Sequence, residues 1–187
     1  MGGSHTYTQP LKSPTTSSRR LQQADSVKKR SQADPYTEGL ALLARRELFT
    51  EELRSRLLRQ GHNAQQVEEA IRRLTARSAL NNLRAAIAYA RHAVQNKSRG
   101  RGRVLKELDQ RGVSPSDSQQ ATDEAYDDIN ETILLSRVLS RKLSGPITNQ
   151  AHFRRLYAAL LRQGFDGTDI VKLLKAKTAS TDFSIDQ

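Results

Sequence analysis

The sequence contains no cysteine and no tryptophan, and only 4 Phe and 5 Tyr in 187 residues. Without cysteine there can be no disulfide, no thiol nucleophile and no Cys-ligated zinc, which suits a reducing, cytoplasmic setting. So few aromatics, with a hydrophobic fraction of 36%, argue against one large core. Small modules held by Leu, Ile, Val and Ala fit that composition better. No apolar run approaches the roughly 18–20 residues of a membrane span, and no apolar signal-peptide segment follows the N-terminus. Met1-Gly2 with Thr6 formally fits a myristoylation pattern, which is too loose to carry weight. No stretch alternates apolar and polar residues for long enough to make a strand, so the spacing predicts an all-α fold.

What is present is a repeat. Residues 53–62 read Leu-Arg-Ser-Arg-Leu-Leu-Arg-Gln-Gly-His, residues 104–113 Val-Leu-Lys-Glu-Leu-Asp-Gln-Arg-Gly-Val, and residues 156–165 Leu-Tyr-Ala-Ala-Leu-Leu-Arg-Gln-Gly-Phe. Each is an amphipathic helix closed by a glycine, and Gly61, Gly112 and Gly164 stand 51 and 52 residues apart. Such a period marks stacked copies of one supersecondary unit. The chain therefore divides into a disordered basic tail at 1–35, three-helix repeats at 36–78, 79–126 and 127–177, and a C-terminal tail at 178–187. Each of the three glycines is expected to end its helix in the left-handed conformation.

Within the first repeat, Leu40, Leu43 and Ala44 predict a helix ending near Leu48. Thr50 reads as the N-cap of the second helix, with Leu53 and Leu57 inward and Arg54, Arg56 and Arg59 exposed. Asn63 with Gln66 opens a third, whose inner face is Val67, Ala70, Ile71 and Leu74. In the second repeat, Leu83, Ile87, Ala90 and Val94 line a helix, and the polar, glycine-rich residues 96–103 predict a loop. Ser114-Pro115 opens its third helix, which is poor in apolar residues and expected to pack most weakly. The third repeat places Ile129, Ile133, Leu134, Val138 and Leu139 in one helix and Phe153, Leu156, Leu160 and Leu161 in the next, with a break at Gly145-Pro146. Asp166 caps a last helix that buries Ile170, Val171, Leu173 and Leu174.

The net charge is +11, which favours a polyanionic partner, nucleic acid first and acidic protein second. Residues 79–112 carry 8 basic and 2 acidic side chains, and residues 113–131 carry 6 acidic and no basic ones. The leading binding candidates are Arg91, Lys97, Arg99, Arg101, Arg103, Lys106 and Arg111, with Gly100 and Gly102 leaving backbone room for phosphates. Arg54, Arg56 and Arg59 extend the set in the first repeat, and Arg154, Arg155 and Arg162 in the third. Tyr89, Tyr126, Phe153 and Tyr157 could stack on bases, but each sits at core spacing. Lys28-Lys29-Arg30 reads as a solvated basic tail.

No catalytic constellation assembles. His5, His62, His92 and His152 show no metal-binding i,i+4 pair, and His62 reads as a half-buried packing residue. Asp123, Glu124, Asp127, Asp128 and Glu131 lack the turn glycine of a calcium loop. They read as a solvated acidic face or as partners of the basic segment. Gly100-Arg101-Gly102 lacks the rest of a phosphate loop. No enzyme activity, metal or cofactor is predicted.

The repeated Leu-Leu-Arg-Gln-Gly element, Leu42-Leu43-Ala44-Arg45-Arg46-Glu47 and Arg103-Val104-Leu105-Lys106-Glu107-Leu108-Asp109-Gln110-Arg111-Gly112-Val113 together resemble the RecX family of bacterial RecA regulators over about residues 36–175. The resemblance implies three tandem three-helix repeats in an elongated, curved, non-catalytic body. It implies a monomer that lies in the groove of a RecA–DNA filament, contacts more than one subunit, inhibits ATPase and strand exchange, and could touch single- or double-stranded DNA. Asn81-Asn82 replaces the family's acidic pair, Ala85 a family aromatic, and Ser98-Arg99-Gly100-Arg101 the family's Gly-x-Gly-Pro. The rival reading is an independent DNA- or RNA-binding protein of tandem helix-turn-helix type, which would need a base-reading set of Arg, Asn or Gln.

Overall fold

The computed structural model describes residues 34–143 and 145–178, so the basic tripeptide at 28–30 and nearly all of both expected tails lie outside it. Among the described residues the regular structure is helical, apart from one parallel bridge between Ile147 and Thr178. The first trio comprises α1 (Pro35–Leu43), α2 (Thr50–Arg59) and α3 (Ala64–Ala76). The second comprises α4 (Asn82–Lys97), α5 (Arg101–Asp109) and α6 (Pro115–Tyr126). The third comprises α7 (Glu131–Ser140), α8 (Gln150–Arg162) and α9 (Gly167–Ala176). Helix backbones approach one another chiefly within a trio. Gly61, Gly112 and Gly164 close α2, α5 and α8 with φ of 94°, 72° and 90°, so the repeat register is as the sequence predicts.

The helix starts explain how the trios are joined. Asp34, Asn63, Asn81, Ser114, Asn130, Asn149 and Asp166 each accept a hydrogen bond from a first-turn backbone N–H of their own helix. Helices α2 and α5 have no such cap. Thr50 is the first residue of α2 rather than its cap, and its N–H and hydroxyl both donate to Asn82 Oδ1 of α4 at 3.0 Å. At the start of α5, the N–H groups of Gly100 and Gly102 donate to the carbonyls of Gln163 and Gly164 beyond α8, at 2.8 and 3.0 Å. The second helix of repeats one and two is thus completed by the repeat that follows.

Two cores result. Leu48, Leu53, Leu57, Val67, Ile71, Leu74 and Leu80 form one, in the first trio. The other runs through the second and third trios and also takes in Phe49. Neighbouring residues Leu48 and Phe49 therefore anchor in different cores.

Several inner faces differ from expectation. Helix α1 stops at Leu43, and Leu48 is fully buried in the loop that follows. Leu40 and Ala44 face outward, while Gly39 faces inward; a Cβ there would stand 2.8 Å from Leu74 Cδ1. The bare backbone lets α1 settle on α3. Helix α6, expected to pack weakly, makes the most extensive approach of any helix pair, with α4. Its buried Ser118, Ala121 and Thr122 are small, as are Ala85, Ala86, Ala90 and Ala93 on α4, and small side chains let backbones come close. Ile133 and Leu161 are exposed, Ile129 precedes α7, and Leu83, Ile87, Phe153, Val171 and Leu173 are half-buried.

Candidate binding surface

The middle basic segment is not the open loop its composition suggests. Helix α4 runs to Lys97 and α5 begins at Arg101, leaving residues 98–100 between them. Gly100 is buried, and a Cβ on it would overlap the backbone of Gly164 and Phe165. The space that the glycines free is occupied by the third repeat, not left for a phosphate.

The arginines here are engaged. Arg101 pairs with Asp123 and, through Nε at 3.1 Å, with Glu131, and its guanidinium lies 4.9 Å above the Tyr126 ring. Burial disfavours its charge, but the hydrogen bonds and charges of Glu131 and Asp123 outweigh this and push its pKa up. Tyr126 is buried and donates to the Arg99 carbonyl at 2.7 Å, and burial raises the pKa of its hydroxyl. Arg103 Nε donates to Glu107 Oε1 at 2.7 Å, and its terminal nitrogen donates to the Arg162 carbonyl at 3.1 Å. Arg99 approaches Glu107 at 3.8 Å. Arg111 covers the Tyr89 ring at 4.2 Å, and Tyr89 in turn donates to Glu107 Oε2 at 2.6 Å. Burial works against the Glu107 carboxylate, yet Tyr89, Arg103 and Arg99 together hold its pKa below the usual range. Arg91 pairs with Glu124 at 2.6 Å. Residues 79–131 carry 8 basic and 8 acidic side chains, so the local positive excess is cancelled by the acidic stretch that follows it.

Arg54 and Arg56, expected to be exposed, are half-buried and paired as well, Arg54 with Glu51 and Glu68 and Arg56 with Glu52 at 2.8 Å. His62 is buried, and its Nε2 lies 2.6 Å from Glu38 Oε2, so it ties α1 to the turn after α2 rather than serving as packing alone. Among the described residues no group of three or more His, Cys, Asp or Glu side chains is placed to hold a metal ion.

Of the expected binding residues, Arg59, Lys97, Lys106, Arg154, Arg155 and Arg162 remain exposed with no carboxylate partner among the described residues. Three of them border two grooves that meet on α5. One groove, between α2 and the second repeat, is bordered by Arg59, Tyr89, Gln110 and Arg111 and also by Arg46 and the carboxylates of Glu51 and Glu52. The other, between α5 and α8, is lined by Lys106, Glu107, Gln110, Leu161 and Arg162. Gln110, the residue that follows α5, borders both grooves. Leu58 and Leu161, 41% and 48% exposed, occupy equivalent repeat positions, each just before an exposed arginine. The inner-face pattern hid them, but the repeat alignment, Leu58-Arg59 with Leu161-Arg162, carried the signal.

No protein-family model matches the chain. Among curated proteins, the regulatory protein RecX of Treponema pallidum (strain Nichols) is 34% identical over 120 residues, covering 63% of this chain and 73% of the relative. Regulatory protein RecX of Pelodictyon phaeoclathratiforme is 27% identical over 141 residues, 74% of this chain and 86% of the relative. The crystal structure of RecX from Lactobacillus salivarius superposes with a TM-score of 0.59 at 18% identity, covering 82% of this chain and 99% of that one. A second crystal structure, of regulatory protein RecX, gives a TM-score of 0.63 at 16% identity over 84% and 77% of the two chains. The helical fold described above is therefore shared with these structures. Among the described residues no helix is long and apolar enough to cross a membrane.

Proposed function

We propose, from the premise that this chain belongs to the RecX family of regulatory proteins, that it is a non-enzymatic regulator which binds the RecA–DNA filament and inhibits its ATPase and recombinase activity. The observation that carries the reading is the pair of grooves on either side of α5, facing α2 and α8, where Arg59, Lys106 and Arg162 have no carboxylate partner among the described residues. A filament repeats its surface along its axis, and a chain of repeats can meet it at several points. Weak contacts of this kind add through effective concentration. Arg101 and Arg103 reach across to the third repeat, and Arg99 pairs within the second.

The test is the ATPase of RecA on single-stranded DNA, titrated with the full chain and with R59E/K106E/R162E. Inhibition by the wild type and its loss in the variant, with helicity unchanged, is the expected result. Equal inhibition by both would remove this surface from the mechanism. No inhibition by the wild type at several-fold excess over filament subunits would favour the independent nucleic-acid binder.

A further inference from the structure

We infer that the end of the third repeat farthest from the second binds the phosphate backbone of nucleic acid, at a site separate from the groove surface and independent of the filament reading. Residues 132–165 contain 6 Arg and Lys side chains and not one carboxylate. Residues 132–178 carry 9 basic and 2 acidic side chains, whereas residues 79–131 balance at 8 and 8. The uncompensated charge of the described body is therefore in the third repeat, not in the middle of the chain.

The fold sorts that charge to one end. The segment after α7 passes through Ile147, whose N–H donates to the Lys177 carbonyl at 3.4 Å and which bridges to Thr178. The C-terminus of α7, the start of α8 and the C-terminus of α9 consequently meet there. This end carries Arg141, Lys142, Arg154, Arg155, Lys175 and Lys177, all exposed and none in an ion pair with a described residue. The carboxylates of the repeat lie at the opposite end, Glu131 at the start of α7 and Asp166 and Asp169 at the start of α9. Glu131 is turned onto Arg101 of the second repeat, and the Gly164 carbonyl at that same end receives Gly102. The cationic end therefore points away from the junction.

Helix electrostatics account for only part of this. Cations at the C-termini of α7 and α9 complement the helix dipole. Arg154 and Arg155 sit in the first half of α8, toward the positive end of its dipole, where they gain nothing from it. Their charge is left available to an external anion. A protein partner would be met by an apolar centre with a polar rim. Yet the large exposed hydrophobic residues of the described chain are Leu40, Leu58, Ile133 and Leu161, and the two in this repeat, Ile133 and Leu161, lie at its other end. A purely cationic surface suits phosphates, which need charge and little else. Residues 179–187 add only Asp182 and Asp186 against these six cations.

Fluorescence anisotropy of the full chain with a labelled oligo-dT, without any other protein, tests the site. If roughly six phosphates are neutralised, affinity should fall with log salt at a slope near about −4. The variant R141E/K142E/R154E/R155E should bind about tenfold or more weaker at low salt, with a slope nearer about −1. The milder R141Q/K142Q/R154Q/R155Q should fall between, and R45E, at an exposed arginine of the first repeat, should bind as the wild type does, which separates this site from charge elsewhere on the protein. Wild-type binding in the charge-reversed variant with native helicity would overturn the proposal. So would failure of the wild type to bind DNA at low salt, or binding to polyglutamate in preference to DNA.

Discussion

Glu107 gathers three side chains of the second repeat around one carboxylate. It accepts from Tyr89 and Arg103 and faces Arg99, and only 12% of its side chain is exposed. Its pKa is held down in the folded state, so its contribution to stability is present above the unfolded carboxyl value of about 4.3 and is lost as pH falls through the folded value. Calorimetry between about pH 3 and 7 should therefore show E107Q melting below the wild type near neutrality. The two curves should converge in acid, where the wild-type carboxyl is protonated as well. Parallel curves with a constant gap would mean that the charge of Glu107 contributes nothing. None of this was legible in the sequence, where Glu107 is one acid among arginines. Its partners Tyr89 and Arg99 come from α4 and from the short link after it, and only the fold brings them together. Gly100 is the same kind of case. Its glycine was legible, but its purpose was not, because the backbone it must admit is more than 60 residues away in sequence.

At the scale of elements, the helices themselves were legible and the helix-to-helix fits were not. Asn63, Ser114-Pro115 and Asp166 announce the helix starts they cap, and the three glycines announce the ends. Apolar spacing located Leu53, Leu57, Val67, Leu74, Leu156, Leu160, Ile170 and Leu174, all buried. It misjudged α1 and α6, where contact is made through Gly39 and through Ala, Ser and Thr, residues that spacing rules count as neutral. It also could not show that α2 borrows its cap. Replacing Asn82 by alanine removes the acceptor of both Thr50 bonds and should cost about 1–2 kcal/mol in chemical denaturation. Asn82→Asp retains an acceptor and should lose less. Unchanged stability in the alanine variant would show that the first and second repeats do not depend on this contact.

At the scale of the molecule, the repeat period and the total charge were both visible, and the distribution of free charge was not. The excess over residues 79–112 looked like a binding segment, because a linear count separates it from the acids that follow. Folding sets Asp123, Glu124 and Glu131 against Arg101 and Arg91, and the segment becomes a junction. What remains outward is a surface drawn from equivalent helices, with Arg59 and Arg162 at equivalent positions and Lys106 between them. Docking through that surface is tested by co-sedimentation with preformed RecA–single-stranded-DNA filaments. Wild type should pellet with the filaments. R59E/K106E/R162E, folded and still able to bind bare DNA through the far end of the third repeat, should stay in the supernatant. Pelleting of that variant to the same extent as the wild type would mean that this surface does not hold the filament.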